Sequence, residues 1–130
     1  MPLRQICIFS TKWPYYGVSW GAVMGAIIPA VEPRIKAVVL ALGGVDFNRS
    51  LPEVDTINFL PRLKHPTLML NGRYDFFFPA EATQKPFYRL LGSKQDQKKH
   101  LLYESGHSVP CNELIRGTLG WLDQYLGPIQ

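Results

Sequence analysis

The stretch that most constrains this chain is Gly17-Val18-Ser19-Trp20-Gly21, a G-x-S-x-G pentapeptide between two segments of different character. Trp13-Pro14-Tyr15-Tyr16 before it reads as a short strand. The small, apolar run 22–30 after it reads as a helix. Strand, sharp turn with Ser at the apex, and helix together form a nucleophile elbow. The chemistry explains the residue types. The apex Ser is held in a strained backbone so that its hydroxyl stands clear of the sheet. Gly suits the flanking positions 17 and 21, where strand and helix are expected nearly to touch, because it has no Cβ. The helix aims its N-terminus at Ser19, so the Trp20 N–H becomes the candidate donor to a developing oxyanion. By itself the pentapeptide is equally compatible with a glycine turn before a small-residue helix, so the rest of the chain has to decide.

That remainder alternates strand and helix. Residues 35–42 (IKAVVLAL) form a continuous apolar run rich in β-branched residues, the pattern of a strand buried on both faces in a parallel sheet. Residues 67–70 (TLML) and 100–103 (HLLY) are the next two strands. Helical segments are expected over 20–31, 80–91 in two pieces around Pro86, and 112–126. The last is N-capped by Asn112 and has Leu114, Ile115, Leu119, Leu122 and Leu126 on its buried face. The irregular stretch 45–64 has the mix of aromatics and acids of a loop or lid over a site. The fold class is therefore α/β, with three layers and about four to five mostly parallel strands flanked by helices joined by right-handed crossovers. Residues 1–130 suit one domain, with 1–12 as an N-terminal arm or extra strand (5–9, QICIF, is β-prone).

In such sheets, sites form at the C-terminal ends of the strands. Ser19, Asp75 and His107 each fall in the turn just past such an end, so all three should open onto one edge of the sheet. Their chain order is one that a catalytic triad adopts. The roles follow: Ser19 as nucleophile, His107 as base and then acid, Asp75 as the group that fixes the imidazole. Asp46, after the second strand, and Asp55 are reserve acids. Trp20, Tyr74, Phe76, Phe77 and Phe78 flank these turns and form a candidate substrate-binding wall suited to short acyl groups or aryl esters. His65 and His100 read as structural, and Cys111 as a bystander. Three separated His and two distant Cys, Cys7 and Cys111, give no metal-ligand spacing.

At this point a resemblance can be stated. Residues 15–127 resemble the C-terminal half of an α/β-hydrolase of the dienelactone hydrolase, acetyl xylan esterase and prolyl oligopeptidase-like branch. The matching pieces are Y-Y-G-V-S-W-G-A (15–22), P-T-L-M-L-N-G-R-Y-D-F-F-F-P (66–79) and S-G-H (105–107). The resemblance implies ester or related acyl hydrolysis without a cofactor, and the same roles for Ser19, Asp75 and His107. The strands that would precede the elbow strand, and the loop that supplies a second oxyanion N–H, have no counterpart in the sequence. Residues 1–10, the 45–64 loop or another subunit are the candidate sources of that donor.

The function expected is a carboxylesterase on short-chain or aryl esters. The alternatives are a non-catalytic remnant acting as an assembly module, or a triad hydrolase on peptides, lactones or acetylated sugars. An elbow strand at the sheet edge invites pairing with another chain, so a homo-oligomer is expected, and Pro14, which cannot donate to a ladder, fits such an edge. Nucleic acid is not an expected partner, because the basic residues behind the +4 formal charge are scattered. Nor is a membrane, since no apolar run approaches the ~18 residues of a span. The absence of a disulfide pattern and of a signal sequence suggests a cytoplasmic protein.

Overall fold

The computed structural model describes residues 12–128; the β-prone 5–9 segment lies outside them. The described chain forms one parallel four-stranded sheet with helices on both faces. In chain order the elements are β1 (Trp13–Val18), α1 (Trp20–Met24), α2 (Ile28–Val31), β2 (Ile35–Ala41), β3 (Thr67–Gly72), α3 (Lys85–Leu90), β4 (Lys98–Tyr103) and α4 (Cys111–Leu126). Spatial order equals chain order, β1-β2-β3-β4, so every connection is a crossover to the adjacent strand. This is the α/β class that the alternating pattern predicts.

The apolar runs explain the layers. Five of the seven β2 residues, Ala37 to Ala41, are consecutive and buried, so β2 is covered on both sides. Alternation then sorts the side chains. Val38 and Leu40 join Ala22, Ala26, Leu60, Leu63, Met69 and Phe87 in the core beneath α1 and α3. Val39 and Ala41 join Leu68, Leu70 and Trp121 beneath α4. The expected parallel sheet is thus fixed by which residues find cover, more than by strand propensity.

Register brings the strand ends level. Val18 pairs with Ala41, Ala41 with Leu70, and Gly72 with Tyr103. The ladder continues a step beyond the strands: the N–H groups of Ser19, Leu42 and Arg73 donate to Ala41, Leu70 and Tyr103 at 2.8, 2.9 and 2.8 Å. The three loops that follow β1, β3 and β4 therefore leave from one edge. Among the described residues β1 is an outer strand, and its pairing is irregular between Trp13 and Pro14. The Trp13 and Ser19 N–H groups both donate toward β2, so Pro14, on the opposite alternation, lacks its N–H on the open side of the strand.

Three sequence expectations are corrected. The single helix over 20–31 is two short ones, broken at 25–27. Pro29 is the cause: it has no N–H, and its ring would collide with the Gly25 carbonyl one turn back in a continuous helix. The pieces expected around Pro86 are instead one helical run, a π-helical turn (Ala80–Gln84) leading into α3, with Pro86 in the first turn of α3 where no N–H is needed. Finally, α4 begins at Cys111 behind Pro110, so Asn112 is inside its first turn and not its cap. Its inner face is Leu114, Trp121, Leu122 and Tyr125, while Ile115 and Leu119 are 51% and 55% exposed. No helix among the described residues is long and apolar enough to cross a membrane.

Candidate active site

The site starts with the backbone of Ser19. Its φ of 54° and ψ of −112° put a non-glycine residue in the left-handed half of conformational space. Such a conformation costs about 1–3 kcal/mol and persists only where the surroundings impose it. Three hydrogen bonds do so here. The Ser19 N–H donates to Ala41, and the Ser19 carbonyl accepts from Ala22 and Val23 at 3.0 and 3.1 Å. The chain therefore reverses at Ser19 with β1 on one side and α1 on the other. A Cβ on Gly17 would lie 2.3 Å from the Gly21 carbonyl oxygen, so the first glycine of the pentapeptide is required by contact. The second is not: nothing lies within 4 Å of a Cβ on Gly21. The expectation that both positions must be small because strand and helix touch holds only for Gly17, since Gly21 looks onto open space among the described residues.

The acid loop follows β3. Asp75 is buried, with its side chain fully covered. Its Oδ1 accepts the N–H groups of Phe77 and Phe78 at 2.9 and 3.1 Å. Its Oδ2 lies 2.7 Å from His107 Nδ1. With the carboxylate as acceptor, Nδ1 carries the hydrogen and Nε2 is left free to accept. His107 Nε2 lies 3.0 Å from Ser19 Oγ, which closes the line Asp75–His107–Ser19. The histidine turn and the acid loop pass very close: a Cβ on Gly72 would fall 1.8 Å from the Gly106 carbonyl oxygen. Gly72 is the residue that lets the two turns share this space. The three residues predicted from position are thus in mutual hydrogen-bond reach, with the imidazole edge partly open at 22% side-chain exposure.

Around this line the aromatic residues divide. Phe77 packs edge-on against His107 at 4.9 Å between ring centres, and Phe78 lies at 6.2 Å. Phe76 stacks on Phe77 at 4.1 Å. Tyr74 belongs elsewhere. Its hydroxyl donates to Glu104 at 2.6 Å, and Arg73 reaches the same carboxylate at 2.7 Å. The hydrogen bond to Glu104 raises the Tyr74 pKa, and the bonds from Tyr74 and then Arg73 lower that of Glu104. Trp20 is 62% exposed, and its N–H, the first of α1, donates to no carbonyl among the described residues. The reserve acids have other partners. Asp46 accepts from the Asn48 N–H at 2.9 Å, and Asp55 caps the 3-10 turn Thr56–Asn58 and pairs with Arg49. Cys111 is a free, exposed thiol, and no group of three or more potential metal ligands occurs among the described residues.

Sequence reasoning missed one residue of the site's surroundings, Gln84. It is fully buried and donates to the carbonyls at both ends of the acid loop, Gly72 and Phe78. Its position in a helical stretch between Pro79 and Pro86 was the only signal available.

Solved structures match this fold over most of the chain. A cold-adapted esterase from an Arctic intertidal metagenomic library superposes at a TM-score of 0.73 with 30% identity, over 85% of this chain and 48% of that one. The chain belongs to the α/β-hydrolase superfamily. A Klebsiella pneumoniae protein whose name assigns it to the dienelactone hydrolases matches at a TM-score of 0.72 and 22% identity, over 86% of this chain and 52% of that one. A Mycobacterium tuberculosis puromycin-hydrolyzing peptidase matches at a TM-score of 0.72 and 19% identity, over 90% of this chain and 22% of that one. At these lower identities the match speaks for the fold alone. The chain spans about half the length of the esterase it matches. No family model and no curated protein sequence matches it.

Proposed function

We propose that this α/β-hydrolase chain is a serine esterase that cleaves short-chain or aryl carboxylic esters. The observation that carries the reading is the hydrogen-bonded line from buried Asp75 through His107 to Ser19, with Ser19 strained at the start of α1. In this reading Ser19 Oγ attacks the ester carbonyl carbon while His107 Nε2 takes its proton. The carbonyl oxygen gains the negative charge and meets the Trp20 N–H. Asp75 keeps the hydrogen on Nδ1 and stabilises the imidazolium. Collapse breaks the bond to the alkoxy group, which leaves with the proton from His107. Water, deprotonated by the same nitrogen, then releases the acid and restores Ser19. Phe76, Phe77 and Phe78 would supply an apolar wall beside the histidine. The chemistry calls for no cofactor.

A second reading, a non-catalytic assembly module, is favoured by one observation: among the described residues the flank of the elbow at Gly21 is open, and no second backbone donor stands there beside the Trp20 N–H. Losing one of two such donors typically costs ~10²–10³ in turnover. The two readings meet if another copy of the chain covers this flank, so we propose a homo-oligomer. We also propose a cytoplasmic protein, on cysteine usage alone.

Turnover of p-nitrophenyl acetate and butyrate, together with labelling by a fluorophosphonate, tests the reading. The chain should turn over both esters and take the label, and Ser19→Ala should remove nearly all of both activities, because triad members act as a unit. An unlabelled protein, or a Ser19→Ala variant with unchanged turnover, would rule out the esterase.

A further inference from the structure

We infer that Gln84 is a positioning residue that sets Asp75 against His107; this rests on the triad reading above. The acid loop leaves β3 at Gly72 and ends at Phe78. Gln84 Nε2 donates to Gly72 O at 2.9 Å and to Phe78 O at 2.7 Å, so both hydrogens of one amide tie the two ends of the loop together. The Phe78 N–H is itself a donor to Asp75 Oδ1. One residue, Phe78, thus links the Gln84 amide, through its carbonyl, to the carboxylate, through its N–H.

Gln84 is in turn fixed by the π-helical turn that carries it. Thr83 Oγ1 donates to Pro79 O at 2.9 Å, and the Val45 N–H, from the segment after β2, donates to Thr83 O at 3.2 Å. Such turns are rare and recur at functional sites. The other half of the amide argues against a purely stabilising role. Gln84 Oε1 is buried and has no hydrogen-bond partner among the described residues. Leaving such an acceptor bare costs free energy that an apolar side chain would avoid. The residue is accounted for by its two donors and where they hold the loop.

The test compares Gln84→Leu, which has neither donor, with Gln84→Glu, isosteric and without the amide donors when ionised. Each is made alone and with Asp75→Asn, and assayed for p-nitrophenyl ester hydrolysis below its own unfolding midpoint. Both single variants should lose ~10- to 100-fold in kcat, the scale of misplacing a catalytic group by about 1 Å. KM should stay within about twofold, since no substrate contact is removed. In the Asp75→Asn background neither should cost anything further, because residues that act through one another are not additive. The far-downfield NMR signal of the His107 Nδ1 proton should be present in the wild type and in Ser19→Ala, and lost or broadened in both Gln84 variants.

Unchanged kcat with an intact proton signal would overturn the proposal. So would losses that multiply with Asp75→Asn, the mark of a merely structural residue. If the wild type shows no Ser19-dependent hydrolysis, the esterase reading fails by itself, and the proton signal alone decides whether Gln84 positions Asp75.

Discussion

The two glycines of the pentapeptide should respond to alanine in opposite directions. At Gly17 a Cβ would stand 2.3 Å from Gly21 O, 2.5 Å from Gly21 C and 2.9 Å from Ala22 N, where ordinary contact begins at 3.4 Å. All three atoms are backbone, so no side chain can rotate away, and β1 and α1 must separate by more than 1 Å. Overpacking of this kind typically costs 1–3 kcal/mol, and a site bounded only by backbone belongs at about 3 kcal/mol. For a domain of this size that lowers the thermal midpoint by roughly 10 °C. The same displacement moves Ser19 away from His107 Nε2, now 3.0 Å distant, so turnover should fall by ~10²-fold even where the protein remains folded. At Gly21 nothing lies within 4 Å of the added methyl, and the residue is in the first turn of α1. Alanine there removes backbone freedom from the unfolded chain and should stabilise by about 0.5 kcal/mol. Thermal and urea unfolding of both variants check this. If Gly21→Ala destabilises as much as Gly17→Ala, the open flank beside the elbow does not exist in the folded protein, and the reasoning built on it is wrong.

Stability should fall as the solution is acidified from about pH 6.5 toward pH 4. Burial, with a smaller contribution from Lys85, depresses the His100 pKa to about 4 from its ordinary 6.5, and burial lowers that of His65 as well. Both groups therefore stabilise the fold above the unfolded value, and that stability is lost as the unfolded chain takes up protons first. For His100 the full effect is on the order of 2–3 kcal/mol. Urea midpoints measured across this range should drop in the wild type and drop less in His100→Gln; identical slopes would contradict the assignment. Light scattering should show an oligomer at micromolar concentration, and Leu119→Glu, at a position 55% exposed in the single chain, should give a folded monomer. A wild-type monomer under those conditions would eliminate the oligomer. Ser19→Ala should also leave the unfolding midpoint nearly unchanged, since alanine keeps the Cβ and the strained backbone and loses only the bond to the partly open His107; a large loss of stability would show that Ser19 Oγ holds the fold together.

What could be read from the sequence was local. Ser19 was recognisable from its G-x-S-x-G turn, and Asp75 and His107 because each falls in a turn after a short β-prone run; parallel strands put all their exits on one edge. The break at 25–27 follows from a local rule that the single helix expected over 20–31 left out: Pro29 has no N–H and its ring crowds the preceding turn. Features that depend on what packs where were not legible. The spacing of Leu114, Ile115, Leu119 and Leu122 marks an apolar helix face, but not how much of that face the sheet is wide enough to cover. In the folded chain Leu114 and Leu122 are covered, and Ile115 and Leu119 stay exposed beyond Tyr16 and Val18. The two glycines of the pentapeptide look alike in sequence and differ only in whether an atom stands opposite. Tyr74 sits beside Asp75 in the chain, yet its hydroxyl is captured by Glu104 across the turn. Gln84 resembles any polar residue near a helix start until the carbonyls it meets are known.

One group of exposed apolar residues lies on β1 and α4. Tyr16 and Val18 on β1 and Ile115 and Leu119 on α4 are exposed apolar residues, at 46%, 44%, 51% and 55%. Tyr16, Leu114, Ile115, Thr118 and Leu119 line a single shallow groove there. Among the described residues, the unengaged Trp20 N–H and the open flank of Gly21 follow one and two residues after Ser19. The acid and base, by contrast, are complete: Asp75 has all its partners, and His107 is held between Asp75 and Ser19. Among the described residues, the half of the proposed site that depends on β3 and β4 is thus fully hydrogen-bonded, while the half that depends on β1 is so only up to the Ser19 hydroxyl. A segment laid along β1 would bury the apolar groove, give β1 a neighbour and set a second N–H opposite that of Trp20, all through one contact. In that arrangement apolar cover and oxyanion stabilisation would be coupled, and a change that strips the cover should slow the proposed chemistry even when it leaves Ser19, His107 and Asp75 where they are.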